Sequence, residues 1–148
     1  MRSDNEYIPS AYDWVREQVD KYETSDGEEG TTLRDTGLPV IIVTMRGRKS
    51  QKIRKAPVMR VEYNNQYAIV ASKGGSETHP EWYYNLLAYP DEVQIQDGAA
   101  KFPVSIRELV DDERILWWER AVTAYPPYKE YQAKTTRLIP VILAIPRK

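Results

Sequence analysis

The spacing of apolar residues changes period several times along the chain, and each change marks an element. Behind Pro9, Tyr12, Val15, Val19 and Tyr22 recur at helical intervals, which predicts a helix from about Ser10 to Tyr22 with Ser10 and Asp13 as its capping box. Glu23 to Thr32 follows as an acidic, glycine-containing loop. Val40-Ile41-Ile42-Val43-Thr44-Met45, bounded by Pro39 and Gly47, is continuously apolar and β-branched, the pattern of a buried strand. A basic, hairpin-like stretch comes next. Ala56 to Tyr63 and Gln66 to Ser72 then flank Asn64-Asn65, a dipeptide that tolerates positive φ, so they read as a β-hairpin. Gly74-Gly75 breaks the sheet. Thr78 and Glu81 predict a second capping box, with Pro80 in the first helical turn, Trp82, Leu86 and Tyr89 on one face and Pro90 as the stop.

Glu92 to Gln96 and Lys101 to Glu108 alternate around Asp97-Gly98 as a second hairpin. Asp111 reads as the cap of a third helix, with Asp112 and Glu113 in its first turn, a stripe of Ile115, Trp118, Val122 and Tyr125, and Pro126-Pro127 as its end. A short helix or turn carries Tyr128 and Tyr131, and Ile139 to Ile145 closes the chain as a strand. Successive hairpins rather than strand–helix alternation imply a mainly antiparallel sheet of about six strands with three or four flanking helices. The expected architecture is mainly β with helices outside (α+β), a small barrel forming a single domain over residues 1–148, of which about 1–36 are helix and loop.

Composition narrows the chemistry. The 148 residues are 41% hydrophobic and 29% charged, ordinary for a globular domain. With no Cys and one His, zinc spacings, thiolate nucleophiles and iron–sulfur sites are excluded. No apolar run reaches the ~20 residues of a membrane span, and Met1-Arg2-Ser3-Asp4 leads into polar residues, so the cytoplasm is the natural assignment. A net charge of -1 argues against nucleic acid. The aromatic inventory is lopsided: 11 Tyr and 4 Trp against 1 Phe. Rings with a polar tip suit a planar, partly polar ligand, although they also serve to cover a sheet.

Phosphate-loop, dinucleotide and nucleophile-elbow motifs are absent. His79 lies beside Pro80 in the first turn of the second helix, where the positive end of the dipole lowers its affinity for a proton, so a capping or surface role is plainer than that of a catalytic base. A chain so poor in nucleophiles and bases either binds without reacting or borrows a cofactor's chemistry. Three segments could serve. Arg46 to Lys55 holds six basic residues and no acidic one, a density that suits an anion or a solvated hairpin. In Ala71-Ser72-Lys73-Gly74-Gly75, two glycines allow close approach of the main chain, beside a hydroxyl and a charge. In Tyr125-Pro126-Pro127-Tyr128-Lys129-Glu130-Tyr131, phenols three residues apart can form a wall on one side of a helical turn.

In this order, these segments resemble the deazaflavin-dependent nitroreductase family of actinobacteria. The resemblance spans Leu38 to Pro146 and rests on Thr44-Met45-Arg46-Gly47-Arg48-Lys49, Arg54-Lys55-Ala56-Pro57-Val58-Met59-Arg60-Val61, Val70-Ala71-Ser72-Lys73-Gly74-Gly75, His79 to Pro90 and Tyr125 to Gln132. It implies a split β-barrel of the flavin-reductase/FMN-binding type that takes a hydride from reduced coenzyme F-420 (8-hydroxy-5-deazaflavin) and delivers it to a quinone-like or nitro-aromatic acceptor. Arg48, Lys49, Arg54 and Lys55 would hold the phosphate and oligoglutamate tail. Ala56, Pro57, Val58 and Met59 would run beside the ring, with Ser72, Lys73, Gly74 and Gly75 in the same groove. Tyr125, Tyr128, Tyr131 and Arg60 would line the acceptor site, with Tyr128 or Tyr131 as the proton donor.

Arg60 departs from the family, whose prodrug-activating member has a tyrosine there. The N-terminal segment is a longer, acidic-ended variant. FMN in place of the deazaflavin, or a non-catalytic module binding the deazaflavin or another anion, are the rival readings. Monomer and dimer, and contact with the inner face of the membrane, stay open at the level of sequence.

Overall fold

A computed structural model describes residues 6–33 and 36–147. The polar start Met1-Arg2-Ser3-Asp4 therefore lies outside the described residues. Among the described residues seven antiparallel strands form one sheet: β1 Val40–Arg46, β2 Ile53–Met59, β3 Glu62–Tyr63, β4 Gln66–Val70, β5 Val93–Asp97, β6 Ala100–Glu108 and β7 Val141–Pro146, in the order β2-β1-β5-β6-β7-β4-β3. The sheet curls until β2 and β4 touch, giving a half-barrel. Four α-helices accompany it among the described residues: α1 Asp13–Thr24, α2 Glu81–Ala88, α3 Asp111–Ala124 and α4 Pro127–Ala133. Among the described residues no helix is long and apolar enough to cross a membrane.

The continuous apolar run of β1 is explained by burial on both faces. Val40 and Ile42 point to a core shared with Val19 and Tyr22 of α1, Trp117 of α3 and Tyr128 of α4, whereas Ile41, Val43 and Met45 enter a second core with Tyr83 and Leu86 of α2. Each apolar side chain buried in this way contributes roughly 1.5–3 kcal/mol. The 93–97/100–108 hairpin forms as expected, and Asn64 and Asn65 turn the 62–63/66–70 hairpin with φ of 51° and 61°.

Several local expectations are corrected. Residues 56–63 are not one strand: β2 pairs along its length with β1, in the register Val43↔Ala56, and a break at Arg60–Val61 separates it from β3. The first helix begins at Asp13, and Ser10 Oγ accepts the Tyr12 N–H at 3.1 Å instead of completing a capping box. Pro80, not Thr78, precedes α2, and the Thr78 hydroxyl accepts from Lys73 Nζ at 3.2 Å. His79 thus lies before the helix rather than in its first turn. Val110 occupies the N-cap of α3, whose buried residues are Trp117 and Ala121, while Ile115 is 56% exposed.

Candidate active site

A cavity of about 630 Å³ opens between β2, the N-terminal end of α1, the turn at Lys73–Gly75, α2 and the tyrosines around α4. Its volume lies within the ~300–1,000 Å³ usual for small-molecule sites. One wall is β2 from Arg54 to Met59. As β2 is an edge strand, its outer side is paired among the described residues only at Ile53, which exchanges main-chain hydrogen bonds with Glu6 and Ile8, and the main-chain groups beyond it face the cavity side without a strand partner. Opposite stand Ser72, Lys73 and Gly74. Gly74 has φ 62° and open space where a Cβ would be, whereas a Cβ on Gly75 would stand 2.8 Å from the Tyr131 carbonyl oxygen. Gly75 therefore serves the packing of the turn on α4, and the structure does not bring it to the cavity.

The basic stretch is less free than its composition implies. Arg46 is buried and pairs with Glu92 at 2.8 Å. Arg48 reaches Glu81 at 3.2 Å, lies 4.7 Å over the Tyr84 ring and does not itself line the cavity. Lys52 pairs with Glu6, and Lys55 with Glu23. Lys49 is 78% exposed and stands 3.8 Å from Glu81. Arg54 lines the cavity and has no carboxylate partner among the described residues. The counter-ions anticipated from an external anion are thus largely supplied by the protein's own glutamates, brought in from distant parts of the chain. Within this stretch Arg54 and the exposed Lys49, both lining the cavity, remain as the anion-seeking groups.

At the other end, Tyr125, Tyr128 and Tyr131 do come together, but around the Pro126-Pro127 corner rather than on one helical turn: Tyr125 ends α3 and the other two lie on α4. The rings of Tyr125 and Tyr128 meet edge to face at 4.9 Å, those of Tyr128 and Tyr131 at 6.2 Å. The Tyr125 and Tyr131 hydroxyls are hydrogen-bonded at 2.9 Å. Burial, and then that bond, push Tyr125 up to about 12. Tyr128 is 3% exposed, and burial raises its phenol above the ordinary value. Tyr128 borders the cavity, and its hydroxyl is hydrogen-bonded to none of the described residues. Phenols of this kind hold their protons at neutral pH and can donate them to an acceptor oxygen.

Arg60 is not part of this cavity. Its Nε donates to Asp97 at 3.0 and 3.1 Å, and Tyr67 Oη donates to the same carboxylate at 2.7 Å. It lies instead at a separate, open depression of about 500 Å³ beside Tyr63 and Arg120. Conversely, Tyr12 and Trp14 of the α1 region, Trp82 and Asn85 border the cavity without having been singled out. Only Asn85 left a trace, as one polar side chain in the apolar run Trp82 to Leu87. It is buried, and its Oδ1 accepts the Arg48 N–H at 3.0 Å.

The site is thus an edge-strand groove of a half-barrel, lined by cationic side chains and phenols and holding no cluster of metal-ligating side chains among the described residues. The family model for the F420H(2)-dependent quinone reductases matches residues 14–146, and the chain belongs to that family. A relative from Mycobacterium tuberculosis whose name carries the same designation is 38% identical over 110 residues, covering 74% of this chain and 92% of the relative. The solved structure of an F420-H2 dependent reductase (FDR-A) superposes with a TM-score of 0.68 at 53% identity, covering 72% of this chain and 93% of that one. Another, described as a domain-swapped dimer, gives 0.70 at 48% identity over 91% and 99% of the two chains.

Proposed function

We propose that this chain transfers a hydride from reduced coenzyme F-420 to a quinone, and that donor and acceptor meet in the cavity between β2 and the tyrosines. The observation that carries the reading is the lining of that cavity: Arg54, which has no carboxylate partner among the described residues, the edge of β2 beyond Ile53, and three phenols. These residues fit the coenzyme. Arg54 and Lys49 would take phosphate and carboxylate oxygens of the tail, with Lys55 released to them from Glu23. Ala56 to Met59 would run along the ring, and Ser72, Lys73 and Gly74 would close the groove.

When bound, the reduced coenzyme supplies a hydride from C5. The chain's own part is to hold an acceptor at near-attack separation, exclude water and supply the proton that completes quinol formation. Tyr128, whose hydroxyl is hydrogen-bonded to none of the described residues, and Tyr131 are the candidates for that proton. A nitro-aromatic acceptor is a second reading, supported by the same phenol wall. Tyr12 at 70% and Trp14 at 38% exposure, both lining the cavity, support contact with a membrane-dissolved quinone.

Parallel titration with coenzyme F-420 and FMN tests the reading. The deazaflavin should bind more tightly, and more weakly as salt rises, because its tail carries more negative charge than one phosphate. Equal or tighter binding of FMN would replace the coenzyme assignment.

A further inference from the structure

Arg137 lies in the connection between α4 and β7, outside the cavity, yet it holds one of the cavity's walls. Its Nε donates to the Ser76 carbonyl at 2.7 Å, Nη2 to the Ser72 carbonyl at 2.7 Å, and Nη1 to the Ala71 carbonyl at 3.2 Å and to His79 Nδ1 at 2.9 Å. The chain it gathers in is not self-supporting. Lys73 and Gly74 both have positive φ, 46° and 62°, and for lysine that left-handed conformation is strained. Such a residue persists only where its surroundings over-determine it. A planar guanidinium with five N–H groups can meet four acceptors at once, and an ammonium on a flexible stem cannot meet the same set.

The same clamp reaches the phenol wall. Gln132, next to Tyr131 on α4, donates from Nε2 to the Arg137 carbonyl at 2.8 Å and accepts the Ile139 N–H at 2.9 Å. Gly75 lies so close to Tyr131 that no side chain fits between them. The turn bearing Ser72 to Gly74 and the helix bearing Tyr128 and Tyr131 are therefore one mechanical unit with Arg137 at its joint.

We propose that Arg137 is a positioning residue for the reaction, fixing the Ser72–Gly74 side of the cavity relative to Tyr128 and Tyr131 through its four-point hold on Ala71, Ser72, Ser76 and His79. This rests on the cavity being the coenzyme site. The test uses full-length Arg137→Lys and Arg137→Ala, titrated with oxidised coenzyme F-420 by fluorescence and assayed with a menaquinone analogue.

Arg137→Lys should weaken coenzyme binding about tenfold, the size of a lost charge-assisted hydrogen bond, with an unchanged far-ultraviolet circular dichroism spectrum. It should also lower kcat more than it changes the quinone KM. In Arg137→Ala, millimolar guanidinium should restore affinity where equimolar sodium chloride does not. If Arg137→Ala does not fold, the lysine variant carries the test alone. Lysine-variant binding and turnover equal to wild type, or guanidinium no better than sodium in a folded alanine variant, would overturn the proposal. Failure of the wild type itself to bind the coenzyme would overturn the site assignment instead.

Discussion

The Tyr125 and Tyr131 hydroxyls stand 2.9 Å apart, joined across the corner made by Pro126 and Pro127. This bond adds a side-chain tie between the end of α3 and α4 to the Tyr128 N–H bond to the Tyr125 carbonyl at 3.1 Å. Because Tyr125 is pushed up to about 12, it stays protonated through the neutral and mildly alkaline range.

Tyr125→Phe and Tyr131→Phe should each lower kcat/KM for a menaquinone analogue by about 3–10-fold, as expected for a neutral hydrogen bond of ~1 kcal/mol. The double variant should be no worse than the poorer single one, because both changes break the same bond. Losses that multiply would show that the hydroxyls act separately.

Among the basic residues, Arg54→Ala should weaken coenzyme binding by about 1–3 kcal/mol, the scale of a charge-assisted contact. Arg48→Ala should change it little, since Arg48 is already engaged by Glu81 and the Tyr84 ring. Fluorescence titration of the two variants decides the matter; the reverse ranking would place the tail along the Arg48 side.

Arg60→Tyr should leave nitro-aromatic turnover unchanged, because Arg60 faces Asp97 and not the cavity. The variant should instead lose the ion pair and melt about 2–4 °C lower, which corresponds to ~1 kcal/mol in a domain of this size. Faster turnover in the variant would put position 60 in contact with the acceptor.

The parts legible in the sequence were those governed by local periodicity and turn chemistry. The buried run at Val40 to Met45, the hairpins around Asn64-Asn65 and Asp97-Gly98, and the tyrosine cluster all follow from short-range pattern. What escaped depends on pairing between distant segments. Nothing near Arg48 announces Glu81, nothing near Arg60 announces Asp97, and Arg137 is unremarkable until the chain folds it onto Ala71 to Ser76. The two misplaced capping boxes have a local cause: Ser10 and Thr78 bind neighbouring groups outside the helices that follow.

His79 accepts a hydrogen bond from Arg137 at Nδ1, so the fold requires its neutral form. Burial, and then the Arg137 charge, hold it below its ordinary 6.5, against an opposing pull from Glu108. The unfolded chain therefore takes up this proton first. The stabilising contribution is fully present above about 6.5 and is lost as pH falls from there through the lowered folded value. Melting temperatures should drop more steeply between about pH 7 and pH 5 for wild type than for His79→Gln. Parallel profiles would mean that His79 does not titrate against the fold.

The most direct measurement is single-turnover oxidation of reduced coenzyme F-420 by a soluble menaquinone analogue, followed by the return of deazaflavin fluorescence, with wild type, Arg54→Ala and no protein. The cavity assignment predicts fast oxidation with wild type and slower oxidation with Arg54→Ala at subsaturating coenzyme, recovering as coenzyme is raised. A wild-type rate equal to the protein-free rate, or an Arg54→Ala rate equal to wild type at every coenzyme concentration, would contradict it.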